Sequence, residues 1–307
     1  PTSPSKARKL TPGMITLATG EDNLEELDEL EMIFGGVSQI GGLERCTRLR
    51  TLTLIDCGLR RISNLEPVSR TLVKLCLCDQ GLRKMENLCL PVLRELYLHQ
   101  NHISKIEGLE GCPSVQRLWL FSNRIVNMEN LHHCGALREI WLHDNKIKRA
   151  AGLDSLVHLQ SLGLAGNPIR ELKDVRRLGA LPSLVELTLE DVHFGACPVT
   201  YVTGYRNFVM CFLRQLRRLD GLEVADRDRV AAEGMYTEEA LKFQRKIDAI
   251  EEGQGREIRQ AELIRDRGMG HGKALKAEMV RALRGLEGLV REGRSAMAKE
   301  RSRQEEV

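Results

Sequence analysis

The chain has 307 residues, with 46 basic and 43 acidic side chains and a formal net charge of +3. That near-balance argues against a nucleic-acid binder held by a strongly basic surface. No run of about 18 apolar residues is present to cross a membrane as a helix. The nine cysteines are odd in number and lack the clustered spacing of a secreted disulfide framework; Cys46, Cys112 and Cys134, which share one apolar slot, read as small apolar residues of a reducing cytosol.

Residues 1–20 carry Pro1, Pro4 and Pro12 among Ser and Lys, lack the apolar stretch of a secretory signal, and are expected to be a flexible tail. Residues 21–26 are acidic and lead into a repeat. From Leu27 the starts Leu49, Leu72, Leu93, Val115, Leu137, Leu159 and Leu184 follow at intervals of 21 to 25 residues. The cleanest unit, from Leu93, places Leu96, Leu98, Asn101, Ile103, Ile106 and Leu109 in the pattern L-x-x-L-x-L-x-x-N-x-I-x-x-I-x-x-L. The first unit is degenerate but keeps Leu30, Met32, Val37, Ile40 and Leu43. One such unit cannot bury its own apolar face, so the units must stack into a continuous core.

Eight residues after each start lies a slot for a buried amide, filled by Asn101, Asn123, Asn145 and Asn167. Gly35, Cys57, Gln80 and Val192 occupy it elsewhere, which predicts an Asn ladder interrupted toward both ends. Cys46, Cys112 and Cys134 share an apolar slot that Leu156 and Leu178 fill in later units. After the last unit an irregular loop is expected over 191–203. Tyr205, Phe208, Val209, Phe212 and Leu213 then recur at helical spacing, and Leu216 and Leu219 repeat a strand entry before Asp220 and Gly221. This segment predicts a cap on the last strand edge.

Residues 222–307 hold 18 basic and 18 acidic residues and lose the register. A long helix is expected over 226–267, then a break at Gly268–Gly272. A second helix follows with Leu275, Met279, Leu283, Leu286 and Val290 as a stripe that suits a coiled-coil seam or a docked partner. A solvated helix held by alternating charges is the equal alternative. The expected organisation is thus a tail over 1–20, a capped solenoid over 21–221 and a charged helical, coiled-coil-like extension over 222–307.

Strand side chains alternate, so the residues between the inward leucines form the concave face. One column reads Glu31, Thr53, Cys76, Tyr97, Trp119, Trp141, Gly163 and Thr188; the next reads Ile33, Ile55, Cys78, His99, Phe121, His143, Ala165 and Glu190. Both tryptophans fall on adjacent strands in a chain that is only 4% aromatic. Tyr97, Trp119, Phe121 and Trp141, with His99, His143, Arg117 and Glu139 beside them, are therefore the candidate partner-binding residues. Glu95, Arg124 and Asp144 complete the rim. The competing reading is that the rings pack on one another and stiffen the sheet. Gly163, Ala165 and Gly166 predict a hollow that a partner helix or loop could enter.

No metal or cofactor is expected. His99 and His143 lie two strands, about 10 Å, apart, too far to share a zinc ion easily. Cys76 and Cys78 have no second pair at metal-ligand spacing. The glycine run ending at Gly272 and Lys273 fails as a phosphate loop because Arg267 and Ala274 occupy the wrong positions. No nucleophile and base are brought together by the repeat, so a catalytic role is not expected.

The unit resembles the leucine-rich repeat of the short, 22-residue class. That resemblance implies an α/β solenoid, a right-handed horseshoe of about eight coils with a C-terminal cap and a helical extension. Regulatory subunits of type-one protein phosphatase and axonemal proteins carry this class of repeat. The segment Tyr205–Gly221 resembles the cap that closes their solenoids. The opening Leu30–Leu43 and the run Leu189–Val199 resemble the leucine-rich repeat-containing protein nine family. That resemblance implies a non-enzymatic scaffold of the ciliary or flagellar axoneme, in the cytoplasm and cytoskeleton. It would bind axonemal or microtubule-associated proteins on the concave face and a second surface through its C-terminal helices, with no nucleic-acid or membrane partner. A phosphatase-regulatory subunit that binds its enzyme on the concave face is the alternative.

Overall fold

The computed structural model describes residues 8–235. Eight short strands repeat along the chain: β1 (Glu29–Ile33), β2 (Thr51–Ile55), β3 (Lys74–Cys78), β4 (Glu95–Tyr97), β5 (Arg117–Trp119), β6 (Glu139–Trp141), β7 (Ser161–Gly163) and β8 (Glu186–Thr188). Each pairs in parallel with its sequence neighbours, so the eight strands bound seven full turns of a solenoid. The return segments are mostly turns, with a short helix α2 (Leu172–Arg177) in the last one. Inward leucines and isoleucines at every repeat slot are buried, as are Cys46, Cys112 and Cys134. Burial pushes the Cys134 thiol up to about 12, which keeps it protonated and apolar.

Strands of three residues cannot satisfy the backbone of the turns that follow them, and buried peptide groups need partners. The Asn slot supplies these. Asn145 Nδ2 donates to the carbonyls of Leu120 and Leu142, and its Oδ1 accepts from the Ile125 amide. Asn101, Asn123 and Asn167 repeat this bridging between coils. The ladder also runs further toward the N-terminus than expected. Gln80 Oε1 accepts from the amides of Cys57, Gly58 and Leu59, and its Nε2 donates to Leu54 O, because one extra methylene still reaches the neighbouring turn. At the other end Val192 is exposed, and Asp220 from the cap accepts from the amides of Leu189 and Glu190 instead.

A second, unforeseen ladder runs through the return segments. Fifteen residues after successive starts, Gly42, Asn64, Asn87, Gly108, Asn130 and Gly152 all adopt left-handed backbone. The asparagines donate to the carbonyls of Ile40, Ile62 and Ile106 on the previous coil. The glycines need the lack of a side chain: a Cβ on Gly108 would lie 2.6 Å from Met85 O, and one on Gly152 would collide with Met128 O. Asn and Gly are the residues that tolerate this conformation most readily.

Both ends are closed. Residues 8–20, expected to be part of a flexible tail, are ordered against the first coil. Thr11 caps helix α1 (Pro12–Thr19), Pro12 opens it, and Gly20 ends it in left-handed conformation. Arg8 O accepts from the Ser38 amide, the Leu10 amide donates to Gln39 O, and Leu10 and Ile15 are buried. Prolines at the front of this segment are compatible with a capped helix, and two apolar residues are enough to dock it. At the C-terminal end, helix α3 (Tyr205–Phe212) precedes β11 (Arg218–Leu219), which adds to β8 in parallel, and β12 (Leu222–Glu223), which folds back on β11.

The loop expected to be irregular contains a small hairpin, β9 (Glu190–Asp191) and β10 (Gly195–Ala196). The chain divides between Ala225 and Asp226, four residues beyond the expected boundary; β12, before the division, pairs with β11 as the last strand of the solenoid's sheet. Residues 226–235 are helical. The remainder of the expected helix over 226–267 and the second helical stripe lie outside the described residues.

Two substitutions test the ladders. Asn145→Leu should destabilise the fold by roughly 1–3 kcal/mol, since turn amides and carbonyls lose their partner. Gly152→Ala should cost about as much, from left-handed strain and the Met128 carbonyl. Chemical denaturation of each variant measures this; a wild-type midpoint for either would remove the corresponding ladder from the account.

Candidate partner-binding face

In-register pairing aligns the side chains of the sheet's open face into columns. Glu95, Arg117, Glu139, Ser161 and Glu186 are paired neighbours in one column; Tyr97, Trp119, Trp141, Gly163 and Thr188 are neighbours in the next. The columns read from sequence are therefore those of the fold.

The aromatic column packs on itself. Ring centroids lie 4.4 Å apart for Tyr97 and Trp119 and 5.3 Å for Trp119 and Trp141, the latter nearly parallel. Such pairs add about 0.5–1.5 kcal/mol beyond buried area. In the adjacent column His99 stacks on Phe121 at 4.2 Å. The charged column ties the rings down. Trp119 Nε1 donates to Glu139 Oε1 at 2.7 Å, Tyr97 Oη donates to Glu95 Oε2 at 2.8 Å, and Arg117 bridges Glu95 at 2.9 Å and Glu139 at 3.6 Å. Beside Glu95, burial and this carboxylate push the Tyr97 hydroxyl above its ordinary range.

All eight candidate residues are thus gathered on one face, but not all are free to meet a partner. Tyr97 and His143 are buried, contrary to an exposed patch; Trp119, Phe121, Trp141, His99 and Glu139 are half-buried, and Arg117 is exposed. The reason is the close spacing of adjacent strands, about 4.8 Å, which presses large rings edge to edge. The expected small-residue hollow is also filled. The His143 ring lies over Gly163, where any Cβ would run into it, and the Phe194 carbonyl closes on Gly166.

Phe194, at the tip of the β9–β10 hairpin, is the residue that sequence reasoning missed. Its ring stacks on His143 at 4.8 Å and meets Phe121 at 5.4 Å. Asp191 Oδ1 accepts from the amides of His193 and Phe194, and Gly195 takes positive φ, which turns the hairpin and directs Phe194 back onto the sheet face. The run Asp191-Val-His-Phe-Gly195 carries the signal for such a three-residue hairpin loop.

Toward the N-terminal end of the face, Cys76 Sγ and Cys78 Sγ are 3.2 Å apart, and Cys78 Sγ lies 3.2 Å from His99 Nδ1. The hydrogen bond with Cys76, and then burial, hold the Cys78 thiol far above its usual range. Among the described residues, no group of three His, Cys, Asp or Glu is placed to hold a metal ion. None of the described helices is long and apolar enough to cross a membrane.

Burial holds both face histidines neutral and pushes each down to about 4, against the weaker opposing pull of Asp191 on His143 and Asp79 on His99. His143 Nδ1 accepts from the Ala165 amide at 3.0 Å, which fixes the neutral tautomer with its proton on Nε2. Unfolded histidine titrates near ~6.5. Between these values the unfolded chain binds more protons, so this contribution to stability is complete above about pH 6.5 and is lost as pH falls toward ~4. Denaturation across that range should show a decline of at most about 1.4 kcal/mol per pH unit for each histidine. His143→Gln, whose amide oxygen can still accept from Ala165, should reduce the slope; an unchanged slope would mean that His143 is not held neutral.

Comparison with known proteins agrees with the repeat geometry. No curated protein matches the chain. An internalin C2 from Listeria monocytogenes superposes with a TM-score of 0.51 at 22% identity, over 68% of this chain and 90% of that one. A second internalin from Listeria monocytogenes gives a TM-score of 0.42 at 16% identity, over 70% of this chain and 74% of that one. At such identity the first likeness is one of fold alone. A leucine-rich repeat family model matches residues 93–248, about half of the chain. With the stacked coils, the amide ladder and the in-register face, this places the chain in the leucine-rich repeat family.

Proposed function

We propose that this chain is a non-enzymatic scaffold that grips a protein partner on the open face of its sheet, within the axoneme of cilia or flagella. Leucine-rich repeat folds serve widely as protein-interaction modules, and the observation that carries the reading here is the aromatic face itself. Trp119, Phe121 and Trp141 remain partly exposed even after stacking. Their positions are set by ion pairs and ring contacts that already exist in the free chain. A partner would therefore meet rigid, partly desolvated aromatics and lose little to ordering on this side. Tryptophan and arginine, both present here, are the residue types that dominate interface energetics. The ciliary setting rests on the resemblance of Leu30–Leu43 and Leu189–Val199 to the leucine-rich repeat-containing protein nine family, which implies a scaffold of cilia or flagella. A second surface is assigned to the charged segment from 222 onward on its composition.

Proximity labelling by the tagged full chain in ciliated cells tests this. Wild type should label axonemal proteins. Trp119→Ala/Trp141→Ala should lose them, with partner affinity falling by roughly 2–4 kcal/mol. Because the rings also stack on each other, the double variant should melt somewhat lower yet stay folded. An unchanged labelled set would remove the sheet face from the interaction, and a labelled set without axonemal proteins would remove the ciliary setting.

A further inference from the structure

At the C-terminal end of the sheet face lies an open groove of ≈ 740 Å³, lined by Trp141, by residues of the β9–β10 hairpin and by residues of the cap. Gly163 and the His143 ring that lies over it also line the groove. Four carboxylates line it, from Glu186, Glu190, Asp191 and Asp220, against one guanidinium, Arg206. That imbalance is not neutralised within the groove. Arg206 is committed to the backbone carbonyls of Leu219 and Glu223. Asp220 is taken by the Leu189 and Glu190 amides and the Tyr205 hydroxyl, and Glu186 by Arg218 and Ser161.

Two groups remain available. The Glu190 side chain is exposed and has no hydrogen bond or ion pair among the described residues. Asp191 uses Oδ1 for its hairpin amides, which leaves Oδ2 without a bond among the described residues. The partly buried indole of Trp141 lines the same groove. An indole face and unpaired carboxylates have one ligand chemistry in common, a cation. Among polypeptide side chains a guanidinium satisfies both best: it is flat enough to stack on the ring, weakly hydrated, and fork-shaped for carboxylate oxygens. An acidic anchor would meet like charge. An apolar anchor would bury Glu190 and Asp191 without partners, which is costly.

We propose that this groove receives an arginine side chain of the partner polypeptide, with the guanidinium stacked on Trp141 and hydrogen-bonded to Glu190 and Asp191. This inference rests on the reading of the sheet face as a partner-binding surface and names the anchor that surface selects.

The test is a selection of random-sequence peptides displayed against the full chain, with counter-selection on Trp141→Ala to keep only those that need the indole. Thermal melting verifies that each variant is folded; Glu190→Gln alters an exposed side chain that bonds nothing else. Selected peptides should share an arginine. Replacing it with citrulline, its uncharged isostere, should weaken binding by about tenfold or more, lysine should fall between the two, and Glu190→Gln should weaken the arginine peptide comparably. Peptides that need Trp141 but bind equally well with citrulline and to Glu190→Gln would overturn the arginine assignment while leaving the partner-binding face in place. A selection that yields no Trp141-dependent peptide would overturn both.

Discussion

The constraint on which the fold depends is the satisfaction of buried turn backbone between coils. Each strand of the central coils is three residues long, and beyond it the chain must turn inside a stack where water is excluded. Asn101, Asn123, Asn145 and Asn167 meet that demand by donating to their own coil and the preceding one and accepting from the preceding coil's turn. Because each amide binds both its own coil and its neighbour, it sets spacing and register together. In the return segments Asn64, Asn87 and Asn130 bridge to carbonyls of the preceding coil, and Gly108 and Gly152 let carbonyls of that coil approach closely. Leucine burial supplies most of the driving force, but it is non-directional; the polar ladders select one way of stacking.

Register has a direct consequence for the open face. Once Leu96, Leu118 and Ile140 align, Tyr97, Trp119 and Trp141 align as well, and the alternating Glu95, Arg117 and Glu139 become ion-pair neighbours. Ring stacking and interaction with a partner are thus not exclusive. The stack holds Trp119 and Trp141 in fixed orientations and still leaves part of each ring open. The cap adds to this arrangement from the far end. Asp220 closes the ladder while its neighbouring hairpin sends Phe194 over His143, so the same element that protects the last strand edge also shapes one wall of the groove beside Trp141.

Much of the fold was legible in the sequence because a repeat makes long-range contacts predictable from short-range spacing. A period of about 22 residues assigns every inward leucine, the four Asn slots and both aromatic columns without any knowledge of the three-dimensional path. Two further signals were present but not read: Gln80 in an Asn slot, where the amide outweighs the difference in length, and the Gly or Asn fifteen residues after each of the first six starts. The N-terminal segment was misread because proline and serine suggested a tail, although Thr11, Pro12 and Gly20 are the start and stop signals of a short helix.

The sequence by itself determined the solenoid, its strand register and which side chains share a face, since each follows from periodicity within one coil and its neighbour. Tertiary structure alone decided how open that face is. Tyr97 is buried by Trp119 and His143 by Phe194, and the small-residue hollow at Gly163 is occupied by an imidazole from the preceding coil. These outcomes depend on ring sizes across strands and on a hairpin some fifty residues beyond His143 in the chain. Exposure is a sum over neighbours brought together by folding, and a column of letters records which side chains point outward but not what folds over them.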